Sequence, residues 1–443
     1  DGVICDYNYV FDPNVYLKRF FGEGAGGSYI FLIDEAHNLV ERGREMYSAS
    51  ICREALIQVR RKIKEKMPAV YRSIGRVKRL LDELQKECED YKVLPGTGSI
   101  TMGLLKIQGG FESYLEEHKD AELEEDVRQL YFDVRNFVNM TEFVDENYVV
   151  YAENSADGAF RLKLFCVNPA VNLGEYLKKG RSAVFFSATL LPMDYYRKLL
   201  SCRSDDYGIY VRSPFEQKNR CILSGCDVST LYTRRGYEEY RRIAEYIART
   251  VWQKKGNYMA FFPSYKMLED VYEIYEEEFS VNWVHCICQS SSMNEKEREE
   301  FLEKFQENQE SLVAFCIMGG IFSEGIDLMG EKLIGAILVG TGLPQVSNER
   351  EILREFYLEK GENGFDYAYR YPGMNKVLQA AGRVIRTRED TGVILLLDER
   401  FLQREYSSLF PVEWNDRKRC TLSNVEQQLH TFWKDRTERN GCN

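Results

Sequence analysis

Tyr29-Ile30-Phe31-Leu32-Ile33-Asp34-Glu35-Ala36-His37 is the stretch that decides the fold class. Five apolar residues run together after the Gly-rich segment 22–27 and stop at two adjacent carboxylates. An apolar run of this length, bounded by turn residues, suits a parallel strand buried on both faces. Open α/β sheets place their ligands outside the carboxyl ends of such strands. Asp34 is therefore suited to hold Mg²⁺ through water, and Glu35 to polarise a water that attacks a γ-phosphate. An acidic string at a strand end also arises by chance, so the reading needs support from the rest of the chain.

Support comes first from Ser182-Ala183-Val184-Phe185-Phe186, a second buried-strand run that ends in Ser187-Ala188-Thr189. Small hydroxyl residues at a strand end can link neighbouring sites by hydrogen bonds, or serve as plain caps. After Ser213-Pro214-Phe215 the chain alternates regularly: helix 237–252, strand 258–262, helix 265–278, then strands 312–316, 334–339 and 392–397. Strands alternating with helices predict a parallel sheet in a doubly wound domain.

Two further segments carry chemistry. In Gln379-Ala380-Ala381-Gly382-Arg383-Val384-Ile385-Arg386, a helix would set Gln379, Gly382, Arg383 and Arg386 on one face. A guanidinium there can neutralise charge on a transferring phosphoryl group. The bland reading is a surface helix, but a Gly inside it costs about 1 kcal/mol unless close approach is wanted. Gly319-Gly320-Ile321-Phe322-Ser323-Glu324-Gly325-Ile326-Asp327 lies between two strands, where glycines let backbone amides approach phosphate or sugar. By itself it is a common connector.

Composition sets the bounds. At about 100–200 residues per domain, 443 residues imply roughly two to four domains. With 44% hydrophobic and 29% charged residues, wholesale disorder and fibrous repeats are excluded. No apolar run reaches the roughly 20 residues of a membrane helix. The 12 Cys include no C-x-x-C pair, which argues for buried free thiols in an intracellular, reducing, cytoplasmic compartment rather than a metal site. A net charge of −11 does not exclude a local basic path. Such a path is present: Arg53 to Tyr91 reads as long helix with Arg60, Arg61, Lys62, Lys64, Lys66, Arg72, Arg76, Lys78 and Arg79, while Phe111 to Phe137 is helical and acidic. These blocks read as a helical insertion whose charges face each other or solvent. A hairpin signal follows, with strands 148–151 and 160–164 about Asn154–Gly158.

Taken in order, these elements resemble the XPD/DinG type of superfamily 2 iron–sulfur DNA helicases. The segments that carry the resemblance are Ile30–Leu39 (motif II, D-E-A-H), Phe185–Leu190 (motif III), Phe261–Tyr265 (motif IV), Gly319–Asp327 (motif V) and Gln379–Arg386 (motif VI). Cys5–Pro13 is similar to the run before motif II, Ser213–Phe215 to the entry of the second motor domain, and Gly392–Phe401 to the strand after motif VI. The resemblance implies RecA-like P-loop NTPase motor domains of α/β class, the first incomplete, with a mostly helical arch-like insertion. It divides the chain into a first motor domain at 1–44 and 144–206, an insertion at 45–143, and a second motor domain at 207–443.

The same resemblance implies roles. Asp34 is the Mg²⁺ residue and Glu35 the base, with His37, Ser187, Ala188 and Thr189 coupling nucleotide state to DNA. Arg383 and Arg386 reach the nucleotide phosphates, with Gln379 and Gly382 beside them. Glu324, Gly325 and Asp327 lie between nucleotide and DNA, and Phe262, Ser264 and Tyr265 sit where single-stranded DNA is tracked. The implied activity is ATP-dependent 5′–3′ translocation on single-stranded or forked DNA, in DNA repair among other settings, by a monomer with no membrane.

Two parts of the pattern are missing. No G-x-x-x-x-G-K-[ST] string occurs, and the cysteines of a 4Fe–4S cluster are absent. Both belong ahead of Asp1 in the family, so the expectation is a C-terminal fragment, inactive alone, with an open sheet edge and uncovered apolar strands. Two readings remain beside it: an inert nucleic-acid-binding scaffold, and a DEAH-type RNA helicase, which shares the carboxylates but has no place for the insertion.

Overall fold

The computed structural model describes residues 2–22, 24–118, 122–201, 203, 205–306, 310–323, 328 and 330–440. The strands, in chain order, are β1 (Ile30–Ile33), β2 (Ala49–Cys52), β3 (Tyr91–Leu94), β4 (Tyr148–Asn154), β5 (Phe160–Cys166) and β6 (Ser182–Phe185), then β7 (Arg220–Gly225), β8 (Asn257–Phe262), β9 (Val284–Cys288), β10 (Ser311–Ile317), β11 (Gly335–Val339), β12 (Gly392–Leu397) and β13 (Lys418–Cys420). The chain divides into two units: residues 1–208 with 347–356, and residues 209–346 with 357–443.

In the first unit, β1 and β6 form a two-stranded parallel sheet in which Ile33 pairs with Phe185. Phe31 and Ile33 point inward, and the Phe31 ring packs against Phe21 at 5.9 Å. Ile30 and Leu32 on the other face are 63% and 70% exposed, with Val184 and Phe186 exposed beside them. The strand expected to be buried on both faces is thus covered on one, and the expected uncovered apolar strands are present. Ahead of β1 stand two short helices, Asn8–Phe11 and Lys18–Phe21, where the residues from 8 to 20 would otherwise suit one amphipathic helix. Pro13 breaks it, because a proline disfavours the α conformation of the residue before it, and Asp12 is extended (φ −77°, ψ 120°).

The second sheet of this unit is antiparallel, in the order β2-β5-β4-β3. Helices Arg53–Lys62, Pro68–Lys86, Ser99–Glu117 and Glu125–Met140 share one core with it. The long helix expected from Arg53 is interrupted ahead of Pro68, a residue suited to start a helix and unable to continue one. Gly103 and Gly110, seven residues apart, lie against Val77 and Val70; a Cβ at either would sit under 3.0 Å from the valine methyl, so the helices need glycine to approach this closely. The sequence-based boundary at residue 144 falls inside this assembly. The hairpin β4–β5 pairs with β2 and β3 and buries Val150, Leu162 and Leu164 in the helical core, so it packs with the insertion.

In the second unit, seven parallel strands run in the order β13-β7-β12-β11-β8-β10-β9. Strands β8, β11 and β12 are buried along their whole length, as expected for a sheet covered on both faces. Helices Tyr237–Val251 and Tyr265–Glu278 cover one face through Ile243, Ile247, Leu268 and Val271. At the carboxyl end of β12, the fully buried Asp398 accepts from the backbone and hydroxyl of Thr230 (2.9 and 2.6 Å) and from both arms of Arg400 (2.8 Å). Burial pushes the Asp398 carboxyl up, and the Arg400 guanidinium and its hydrogen bonds outweigh this and hold it below the usual carboxylate range.

Candidate active site

The parallel register of β1 and β6 builds the first cluster. Since Ile33 pairs with Phe185, the residues two positions beyond each, Glu35 and Ser187, emerge side by side. The Phe186 amide donates to Ile33 O (3.0 Å), and the Ala36 amide returns to Phe186 O (3.2 Å). Ser187 Oγ donates to Glu35 Oε2 at 3.2 Å and lies 2.7 Å from His37 Nδ1. The Thr189 amide also donates to Ser187 Oγ, at 3.2 Å, and His37 and Thr189 are buried. Asp34, Glu35, His37, Ser187 and Thr189 are therefore brought together as the sequence suggests, with Ala188 exposed on the same turn.

Glu35 is the single non-glycine residue with positive φ among the described residues (φ 45°, ψ 42°). Such a conformation is uncommon outside glycine, and strained positions of this kind cluster at functional sites. The turn is braced: the Glu35 amide donates to Asp34 Oδ1 (2.7 Å), and the Asn38 amide donates to Glu35 O (2.9 Å). Both carboxylates remain exposed. Asp34 offers one hard oxygen donor at a strand end, which fits Mg²⁺, an ion that keeps several waters and is shared with substrate phosphates. Among the described residues no group of three or more His, Cys, Asp or Glu side chains could hold a metal ion, so an iron–sulfur cluster does not fit them.

The second cluster lies at the carboxyl ends of the seven-stranded sheet. Arg383 Nε donates to Ser323 O at 3.0 Å. The Ser323 hydroxyl accepts from the Gly319 amide (2.9 Å) and donates to Ile317 O (3.0 Å), tying the loop after β10 to the segment after helix Tyr371–Ala381. Gly319 has φ +74°, a conformation that glycine adopts at no steric cost. Gln289, 5% exposed, donates to Tyr265 Oη (3.1 Å) and accepts from the Ile317 amide (2.9 Å).

Several expectations are corrected here. The helix carrying Gln379 ends at Ala381, so Gly382, Arg383 and Arg386 follow it as a turn and do not share a helical face with Gln379. Buried Asp390 explains the exit, because it accepts the amides of Arg386 and Thr387 (both 2.7 Å), the Thr387 hydroxyl (2.7 Å) and the Gly330 amide (3.2 Å). Burial acts to raise the Asp390 carboxyl, and these donors together hold it below its ordinary value. Phe262 is fully buried and stacks on Phe315 (5.8 Å), so it is a core residue and offers no face to a base. Ser264 caps helix Tyr265–Glu278 by accepting from the Met267 amide (3.3 Å). Glu324, Gly325 and Asp327 lie outside the described residues. Sequence reasoning assigned no role to Tyr7, Gln289 or Asp390. For Tyr7 a signal existed, since it stands in the Cys5–Pro13 run already set apart.

The basic run of the insertion is partly spent on structure. Lys62 pairs with Glu124 (3.1 Å) and Asp126 (2.6 Å), Lys78 with Asp82 (2.5 Å), and Arg60 stacks over Tyr71 (4.0 Å). Arg76, Arg79 and Lys106 are exposed and line a groove of about 430 Å³ between helices Pro68–Lys86 and Ser99–Glu117, with Glu83 its one acidic residue. Among the described residues no helix is long and apolar enough to cross a membrane.

Residues 247–417 match the helicase C-terminal domain family. The chain is 25% identical over 284 residues to the "Probable ATP-dependent helicase" of Methanocaldococcus jannaschii, covering 60% of this chain and 41% of that protein. It is 22% identical over 407 residues to the ATP-dependent DNA helicase XPD of Sulfolobus acidocaldarius, covering 89% of this chain and 68% of that one. The chain spans 30% to 41% of the length of three of the curated relatives it matches. The fold of Xpd4 from S. tokodaii superposes with a TM-score of 0.62 at 16% identity, over 94% of this chain and 81% of that one. The parallel α/β units, with the D-E-A-H turn and the arginine segment in this order, are thus similar in fold to XPD, and residues 247–417 match a helicase C-terminal domain.

Proposed function

We propose that the chain is the ATP-hydrolysing and DNA-tracking part of an ATP-dependent DNA helicase that moves 5′ to 3′ on single-stranded DNA. The observation that carries this reading is the Glu35–Ser187–His37 cluster on a strained turn. A carboxylate held in a left-handed turn at a strand end and tied to a neighbouring strand by a hydroxyl is suited to orient an attacking water. Asp34 would hold a Mg²⁺ ion, which would supply charge neutralisation at the phosphates. Glu35 positions the water, and Ser187 links that carboxylate to the strand after which Thr189 is buried. Arg383 and Arg386 supply guanidinium charge to the transferring phosphoryl group. The exposed cations Arg76, Arg79 and Lys106 meet phosphodiester oxygens.

No phosphate-binding-loop string occurs in these 443 residues, so on this reading turnover requires a loop supplied from outside them. The test is a pair of assays. The 443-residue chain alone is expected to show no DNA-stimulated ATP hydrolysis, and the longer polypeptide that supplies the loop is expected to show it and to unwind DNA duplexes in preference to RNA. Loss of that turnover in Glu35→Gln completes the case. Turnover by the isolated chain, or unwinding of RNA alone, overturns it.

A further inference from the structure

We propose that Tyr7 is a positioning residue for the Asp34–Glu35 pair, its hydroxyl clamping the two successive carbonyls that frame the left-handed turn. The inference rests on the ATPase reading above and names a residue that reading does not use.

Tyr7 Oη donates to Asp34 O and lies 3.0 Å from Glu35 O. In an extended strand successive carbonyls point to opposite sides, so one donor cannot reach two in a row. The left-handed backbone of Glu35 (φ 45°, ψ 42°) turns both carbonyls to one side, where a single phenol serves them together. The clamp and the turn thus presuppose each other. A backbone of this kind is strained for a non-glycine residue and persists only where the surroundings over-determine it.

The clamp is anchored away from the carboxylates. The Val10 and Phe11 amides donate to Tyr7 O (3.0 and 2.9 Å), starting helix Asn8–Phe11 at Tyr7. Phe11 is buried, and its carbonyl accepts from the hydroxyl of fully buried Tyr47 (2.7 Å). The short helix that carries the phenol is therefore anchored to the core of the unit.

The test uses Tyr7→Phe, which removes the hydroxyl and keeps the ring, with Tyr9→Phe, an exposed tyrosine of the same short helix, as control. In the 443-residue chain, hydrogen exchange of the 34–38 amides is expected to speed up several-fold in Tyr7→Phe, with β8 unchanged. In the longer, loop-bearing polypeptide, kcat is expected to fall about tenfold with KM for ATP within about twofold, the pattern of a lost transition-state interaction. Tyr9→Phe should match the wild type in both. Unchanged exchange, or unchanged kcat while the wild type turns over, overturns the inference and leaves the ATPase reading standing. A KM rise at constant kcat overturns it as well. If the wild type itself fails to hydrolyse ATP, the ATPase reading falls and takes this inference with it, an outcome told apart by the wild-type arm alone.

Discussion

The Ser187 hydroxyl donates to Glu35 Oε2 at 3.2 Å, joining two residues 152 positions apart in sequence. The bond follows from strand register: the same offset that pairs Ile33 with Phe185 brings the next-but-one residues together. With its proton directed to Glu35, Ser187 Oγ is left to accept from His37 Nδ1 and from the Thr189 amide. A carboxylate, a hydroxyl and an imidazole so linked form one orienting unit for Glu35.

Removing the hydroxyl should therefore disturb chemistry more than folding. On the proposed ATPase reading, Ser187→Ala in a loop-bearing polypeptide is expected to lower kcat about tenfold, against about a hundredfold or more for Glu35→Gln, with KM for ATP little changed. Steady-state ATPase assays with saturating DNA check this. A kcat equal to wild type would place Ser187 among plain strand-end caps.

Asp390 gives a stability test with a defined sign. It collects four donors in the loop after Arg386, so Asp390→Ala is expected to cost about 2–3 kcal/mol in urea unfolding at pH 7. Its folded pKa is depressed, so the stabilisation is fully present above the unfolded value of about 3.9 and is lost as pH falls through the folded value. The gap between wild type and variant should therefore hold at neutral pH and narrow below about pH 4. A gap that widens in acid contradicts the assignment.

What was legible in the sequence was whatever local pattern dictates. Buried-strand runs such as Leu312–Cys316 and Gly392–Leu397, the hairpin about Gly158, and the carboxylate pair at the end of β1 all stand where reading them placed them. The failures have physical causes that pattern does not carry. Arg383 and Arg386 leave the helix because Asp390, four residues past Arg386, captures their loop's amides. Phe262 follows the all-buried pattern of β8, so the place on the DNA path that the resemblance implies for it is taken by the core instead. The hairpin β4–β5 joined the insertion through long-range pairing with β2 and β3, which sequence spacing does not reveal.

The apolar face of β1 and β6 makes a prediction about solution behaviour. Ile30, Leu32, Val184 and Phe186 are all exposed on a two-stranded sheet, a surface prone to pairing with other chains. The purified 443-residue chain is expected to self-associate as concentration rises, and Leu32→Gln, whose side chain points away from the core, to reduce this. Light scattering across a dilution series reads the effect, with the unfolding free energy of Leu32→Gln staying within about 0.5 kcal/mol of wild type, as for other exposed positions. Equal scattering by both proteins would show that the face is covered in some other way.

The groove between helices Pro68–Lys86 and Ser99–Glu117 makes the last prediction, and here charge bookkeeping decides between two accounts of one basic run. Lys62 and Lys78 already face carboxylates, so reversing them should cost stability and leave nucleic-acid affinity nearly unchanged. Arg76, Arg79 and Lys106 are exposed beside Glu83 alone in that groove, so they are the cations of the groove left to meet phosphate. Each phosphate contact releases condensed counterions, and its loss lowers the slope of log K against log salt by about 0.7 on a single strand. The double variant Arg76→Glu with Lys106→Glu is therefore expected to weaken binding of an oligo-dT and to flatten its salt dependence by about 1.4, the sum for two contacts. Fluorescence anisotropy between 50 and 200 mM salt, roughly the range over which such contacts are resolved, measures both quantities. If the Lys62 and Lys78 reversals flatten the slope instead, the nucleic-acid path runs along the paired part of the run, and the ion pairs with Asp126 and Asp82 must open to receive it.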